Sequence, residues 1–127
     1  MSTVTTQHTL EELARTVNRI IVERPGERNP TSDSDTSCLY HSPNTGQRCL
    51  IGQALFEMTG LSVPGKYEGQ SIDVLLTDME FCNFFGLPAD SRFRDETLWL
   101  TVGGKQAQAD QGKPWGSLSP IDIDAAR

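Results

Sequence analysis

The chain has 127 residues, a length typical of a single domain, and its apolar fraction of 36% allows a modest core and excludes a disordered chain. Its net charge of −6, from 17 acidic and 11 basic residues, disfavours nucleic-acid binding, because that binding needs a basic surface. No apolar run approaches the roughly 20 residues that span a bilayer, so the sequence predicts no membrane partner.

The first predicted element is a helix that follows a disordered end at residues 1–8. Thr9 and Glu12 have the spacing of a capping box, in which each side chain binds the other residue's free backbone N–H. One helical stripe of apolar side chains follows, at Leu10, Leu13, Ala14, Val17, Ile20 and Ile21. Pro25 and Gly26 end this helix near Arg24, and the polar residues 27–37 predict a loop.

A short β-hairpin is predicted next. Cys-Leu-Tyr at residues 38–40 favours a strand, residues 42–46 are rich in turn formers, and residues 48–50 suit a return strand. A second helix begins at Leu50, and Gly52 in its first turn indicates close approach of another part of the chain.

Two longer helices complete the prediction. One begins at Ser71 and continues through an aromatic cluster to Gly86, and the other runs from Asp90 or Ser91 to about Gln111. We expect the inward face of the last helix to carry Phe93, Leu100, Gly103, Gly104 and Ala107, whose small residues would let another helix approach.

The predicted fold is therefore mainly α, within the α+β class, with about four helices packed around one short β-hairpin. A single globular domain is expected over residues 9–118, followed by a tail at residues 119–127 in which a final helical turn can form.

Two segments of the chain carry a resemblance. The first combines the Cys-x-Tyr strand at residues 38–40, a Gly/Asn turn, and Cys-Leu-Ile-Gly at residues 49–52. The second is a Gln- and Asp-rich helix that includes residues 106–111 and leads to Trp-Gly at residues 115–116. In this order they resemble a group of small uncharacterised proteins of actinobacteria and actinobacteriophages.

The resemblance implies a phage, prophage or actinobacterial accessory gene and transfers no catalytic residue. The sequence departs from the group at the Gly103-Gly104 pair and in the Ile-Asp-Ile-Asp tail. Residues 1–8 lack the basic start and apolar stretch of a secretion signal, and an odd number of cysteines, three, fits a reducing compartment. We therefore expect the cytoplasm, which is the host cytoplasm if the gene belongs to a phage.

Cys38, His41 and Cys49 are candidates for chemistry, because they could place three zinc ligands around the hairpin, with Cys82 as a fourth. The second Cys-x2-Cys or His-x3-His pair of a structural zinc site is missing from the sequence. A Cys38–Cys49 disulfide and a Cys49 nucleophile assisted by His41 are further alternatives. The interpretation we favour is packing as small apolar residues, with no metal, no cofactor and no catalytic residue.

The predicted function is binding of a protein partner, without catalysis. Leu98, Trp99 and Leu100 are consecutive and cannot all face one side of a helix, so one or two should be partly exposed. Exposed aromatic residues are typical anchors of protein interfaces. We therefore predict that Leu98, Trp99 and Trp115 bind a host or phage protein, which the chain regulates or inhibits. The alternatives are a Trp115 that folds back over the last helix, a zinc-binding or cysteine-dependent module, and a structural protein that forms homo-oligomers.

Overall fold

The computed structural model describes residues 8–29, 40–42 and 46–126 of the chain. Within these ranges the chain forms seven α-helices: α1 (Leu10–Glu23), α2 (Leu50–Thr59), α3 (Ile72–Leu75), α4 (Met79–Phe85), α5 (Ser91–Arg94), α6 (Glu96–Ala109) and α7 (Ile123–Ala126). Short 3-10 turns lie at Gly65–Tyr67 and Trp115–Ser117. The mainly helical fold class is confirmed, with α1 packed on α2 and α6.

The predicted β-hairpin is reduced to an isolated contact in the part of the chain that the structure describes. His41 and Arg48 form one antiparallel bridge, and no longer ladder extends from it among the described residues. Residues 38–39 and 43–45 of the predicted hairpin lie outside the described ranges. The predicted two-stranded hairpin is therefore not shown, and the described residues of this segment form a single bridge.

The carboxylate of Glu68 binds the backbone beside this bridge. The backbone N–H groups of Tyr40 and His41 donate to Glu68, at 2.8 Å to Oε1 and 3.1 Å to Oε2. Because each backbone N–H makes one strong hydrogen bond, the N–H of Tyr40 is not available to pair with Cys49, which would be the next step of the ladder.

Helix α1 forms as the sequence predicts. Thr9 Oγ1 accepts from the backbone N–H of Glu12 at 3.1 Å, and Glu12 Oε1 accepts from the N–H of Thr9 at 3.3 Å. Both halves of the capping box are therefore present, and the predicted apolar stripe is buried against the core.

Each of the two longer predicted helices is interrupted. Asp78 caps α4, since its Oδ1 accepts from the N–H of Phe81 at 3.0 Å, and this separates α3 from α4. Asp95 lies between α5 and α6 and has a non-helical backbone. Aspartate favours such positions, because its short side chain competes with helical hydrogen bonding and suits a cap.

The predicted inward face of the last helix is wrong. Phe93 is 81% exposed and Leu100 is 56% exposed, whereas the buried residues of α6 are Leu98, Val102, Lys105, Gln106 and Ala109. The break at Asp95 gives α6 its own register, so the stripe extrapolated from Phe93 does not continue along the core side.

The predicted tail is attached to the helical core. Asn18 on α1 donates from Nδ2 to the carbonyl of Ile121 at 2.9 Å and accepts from its N–H at 2.7 Å. Ile121 is buried, and α7 supplies the predicted final helical turn. At the other end, the N–H of His8 donates to the carbonyl of Gly86 at 2.8 Å, and residues 1–7 of the predicted disordered end lie outside the described ranges.

None of the helices described above combines the length and the apolar character that a membrane-spanning helix needs.

Candidate functional site

The N-terminus of α2 is bound by side chains from distant parts of the chain. The backbone N–H of Leu50 donates to Asn29 Oδ1 at 2.8 Å, and that of Ile51 donates to Gln106 Oε1 at 3.1 Å. The first turn of a helix leaves its N–H groups without partners inside the helix. Here two of them are satisfied in buried surroundings by residues that precede α2 and by residues of α6.

Asn29 also joins Trp115 and Asp110 to this network. Trp115 Nε1 donates to Asn29 Oδ1 at 3.0 Å, and Asn29 Nδ2 donates to Asp110 Oδ1 at 2.7 Å. Asp110 Oδ1 also accepts from Gln106 Nε2 at 3.4 Å. The two segments singled out in the sequence, the start of α2 and the Gln/Asp-rich end of α6 with its tryptophan, therefore meet around one asparagine.

Gly52 allows the backbone of Tyr40 to lie against the first turn of α2, and the sequence predicts such a close approach. A Cβ atom at position 52 would clash with the carbonyl oxygen of Tyr40, which itself accepts from the N–H of Cys49 at 3.3 Å. Gly116 plays the same part next to Trp115, because a Cβ there would clash with Pro25. These glycines serve close packing of the chain with itself.

The cysteines in the described ranges are buried in separate environments. Cys49 Sγ accepts from the N–H of Gly52 at 3.3 Å, whereas Cys82 Sγ donates to the carbonyl of Leu76 at 3.3 Å. Both thiols are free. Burial raises the pKa of each thiol to about 12. A nucleophile or a metal ligand needs the thiolate, which this environment disfavours.

The predicted metal set is not brought together by the described residues. His41 lies at the bridge to Arg48, and no group of three or more His, Cys, Asp or Glu side chains with metal-binding geometry occurs within the described ranges. Cys38, the first ligand of the predicted set and one half of the predicted disulfide, lies outside those ranges.

Two of the three predicted partner-binding residues lie in the core. Leu98 is 4% exposed and Trp115 is 0% exposed, so neither presents its side chain to a partner in this conformation. The buried position of Trp115 agrees with the alternative in which this residue folds back over the last helix. Trp99 is partly exposed and Leu100 largely so, which confirms that the three consecutive residues divide between core and surface.

We call Arg92, Phe93, Trp99 and Leu100 the aromatic surface. The Arg92 guanidinium carbon lies 5.7 Å from the ring centre of Phe93 and 5.8 Å from that of Trp99, within cation–π range. Trp99 is fixed to α3, because its Nε1 donates to the carbonyl of Asp73 at 3.0 Å. The sequence-based prediction did not include Arg92 and placed Phe93 on the inward face of the last helix. The signal that could have corrected it is Asp95 followed by Glu96, which is typical of a helix start and indicates that a new helix begins there.

A cleft of about 530 Å³ adjoins the aromatic surface at Leu100. One wall is a stripe of α6 formed by Leu100, Gly103, Gly104 and Ala107. The other wall is formed by residues 69–73 together with Tyr40, whose hydroxyl donates to the carbonyl of Gln70 at 2.5 Å. This volume lies in the range of ligand-binding pockets, about 300–1,000 Å³.

The cleft is acidic. Asp73 and Asp110 line it, and no lysine or arginine does among the residues that the structure describes. Asp110 is bound by Asn29, whereas the Asp73 carboxylate makes no hydrogen bond or ion pair within the described ranges. The pKa of Tyr40 is raised by its burial and then by negative charges that include both aspartates.

No protein-family model, curated protein or solved structure was found to match the chain. The resemblance to proteins of actinobacteria and their phages therefore stays a prediction, carried by the two segments that meet around Asn29.

Proposed function

We propose that the chain is a small accessory protein that binds a protein partner through the aromatic surface and regulates or inhibits that partner. The observation that carries the proposal is the exposure of Phe93 beside Arg92 and Trp99. Aromatic residues and arginine are enriched among the residues that dominate binding energy at protein interfaces. No catalytic step is included.

The aromatic surface suits binding because part of it is held in place beforehand. Trp99 is fixed by its hydrogen bond to Asp73, and its ring is partly covered. A rigid side chain loses little conformational freedom when a partner binds, which leaves more of the contact energy for affinity. Burying a phenylalanine side chain stabilises by about 1.5–3 kcal/mol, and Phe93 contributes little of this in the isolated chain.

The sequence resemblance extends the proposal to a setting. If the gene belongs to a phage, the partner is a host protein and the place is the host cytoplasm. An inhibitor or regulator of a host factor needs only a stable scaffold and a binding surface. The buried network around Asn29 supports the first part, and the aromatic surface supports the second.

The test is capture from an actinobacterial lysate on immobilised full-length chain, quantified by mass spectrometry. We expect a stoichiometric partner with the unaltered chain, and its loss with Phe93→Ala. Val22→Ala is the matched control, because Val22 is also an exposed apolar residue but lies on α1. Capture that is equal for Phe93→Ala, or no stoichiometric partner, would contradict the proposal.

Two further measurements separate the proposal from its rivals. Light scattering of the purified chain would show a Phe93-dependent dimer if the aromatic surface serves self-association. Elemental analysis that found about one zinc per chain would favour the module based on Cys38, His41 and Cys49. We expect a monomer without zinc.

A further inference from the structure

The cleft next to the aromatic surface has a shape that suits an extended segment of chain. Beside Leu100 and Gln106 on its α6 wall, Gly103 and Gly104 carry no side chain and Ala107 carries only a methyl group, so the backbone of a ligand can approach this part of α6 closely. Leu100 belongs to both the cleft and the aromatic surface. A partner seated on Phe93 and Trp99 can therefore reach the cleft without leaving the surface.

The negative charge of the cleft favours a ligand that carries a positive charge. Its two charged lining residues are both aspartates, within the described ranges, and one of them has no ionic or hydrogen-bond partner there. A carboxylate at the wall of a cleft is stabilised by an opposite charge, and the surrounding protein lowers the local dielectric below that of water. The whole chain is also acidic, which steers a basic partner towards it.

The absence of a side chain at Gly103 leaves room for Asp73 beside α6. A Cβ atom at position 103 would lie 3.3 Å from the Cβ of Asp73, so any side chain there would push the aspartate away from α6. The carbonyl of the same aspartate binds Trp99 Nε1 at 3.0 Å. Asp73 therefore contacts α6 from both its backbone and its side chain, and it links the cleft to the aromatic surface.

From these observations we infer that the cleft receives a basic segment of the protein partner, with an arginine or lysine side chain placed against Asp73. The inference rests on the proposed function, since the segment belongs to the partner that the aromatic surface binds. The aliphatic stem of that side chain lies along Gly103 and Gly104, and its cationic end meets the aspartate. Long basic side chains pair apolar stems with charged ends in this way.

The probe is a short peptide that contains the cationic side chain alone. Acetyl-Gly-Arg-Gly-amide is titrated into the full-length, 15N-labelled chain at low salt, and amide shifts are followed by NMR. A second peptide replaces arginine with citrulline, which has the same shape and no charge. We expect saturable shifts at residues 69–73 and along the α6 wall with the arginine peptide, and none there with the citrulline peptide.

Variants of the chain test the part played by Asp73. Asp73→Asn should raise the dissociation constant of the arginine peptide by about fivefold, as expected for the loss of one ion pair near the surface. Asp122→Asn removes the same charge outside the cleft lining and should leave it unchanged. Ala107→Lys places a cation within the cleft wall and should also weaken the peptide, so the test survives if Asp73→Asn does not fold.

Several outcomes would overturn the inference. These are equal shifts with both peptides, no shifts in the cleft, or tighter binding of spermidine, which would assign the cleft to a small polyamine. Concentration-dependent shifts of the cleft without peptide would assign it to a second copy of the chain. Phe93→Ala should leave peptide binding intact, so a failure here and a failure of lysate capture are separate results.

Discussion

The two sides of α6 differ in what decides whether a residue is buried. On the inner side Gln106 is buried, although it is polar, because its amide binds Ile51 and Asp110. On the outer side Leu100 is largely exposed, although it is apolar, and it borders an acidic cleft. At Gln106 the hydrogen-bond partners, and not the polarity of the side chain, decide that the residue lies in the core beside the apolar residues Leu98, Val102 and Ala109.

Two leucines of α6 test this comparison most directly. We expect Leu98→Ala to lower the free energy of unfolding by about 3 kcal/mol, because it removes a buried side chain and leaves a cavity. Leu100→Ala should change it by less than about 0.5 kcal/mol, because that side chain lies mostly in solvent. Urea unfolding followed by circular dichroism measures both. Equal changes in the free energy of unfolding would contradict the burial of Leu98 and the exposure of Leu100.

Substitution of Asn29 tests the buried hydrogen bonds on the inner side of α6. In Asn29→Ala two buried donors, the N–H of Leu50 and Nε1 of Trp115, lose their shared acceptor. We expect the free energy of unfolding to fall by about 2–3 kcal/mol, the cost of unsatisfied buried groups.

The matched control is Asn83→Ala, since Asn83 is an exposed asparagine of α4. It should change the free energy of unfolding by less than about 0.5 kcal/mol in the same urea titration. If both variants unfold at the same urea concentration, the network around Asn29 does not stabilise the fold.

Local patterns in the sequence predict much of this fold. The capping box of α1, its apolar stripe and the end of α2 at Gly60 depend on residues a few positions apart, and each is confirmed. The close approach expected at Gly52 is also confirmed. It could be predicted because a glycine in the first turn of a helix indicates close packing even when the neighbouring residue is unknown.

The candidate site could not be predicted in the same way, because it depends on contacts between distant residues. Nothing near Gln106 or Asn29 in the sequence shows that both will bind the start of α2. The register of α6 depends on the break at Asp95, and the predicted continuous helix placed Phe93 and Leu100 on the wrong side. The cleft is formed by α6 and residues 69–73, which no spacing in the sequence connects.

Gly52 in the buried first turn of α2 and Gly104 on the exposed side of α6 form a matched pair. Gly52→Ala should lower the free energy of unfolding by about 2 kcal/mol, because the added methyl group clashes with the backbone of Tyr40. Gly104 is an exposed position of α6 at which a Cβ would meet open space, so Gly104→Ala should raise that free energy by about 0.5–1 kcal/mol. Thermal unfolding of both variants measures the difference. A stabilising Gly52→Ala would mean that Tyr40 does not lie against α2.

The buried thiol beside α2 makes stability depend on alkaline pH. The pKa of Cys49 is about 12 in the folded chain, compared with 9.0 for an unperturbed thiol, because burial disfavours the thiolate. A group whose pKa is raised by folding stabilises the fold fully below its unfolded pKa and loses that contribution as pH rises through the folded value. Between pH 9 and 12 we therefore expect stability to fall by up to about 1.4 kcal/mol per pH unit from this thiol. Cys49→Ala should flatten the fall measured by urea unfolding at increasing pH, and an unchanged slope would show that the thiol is not held neutral by burial.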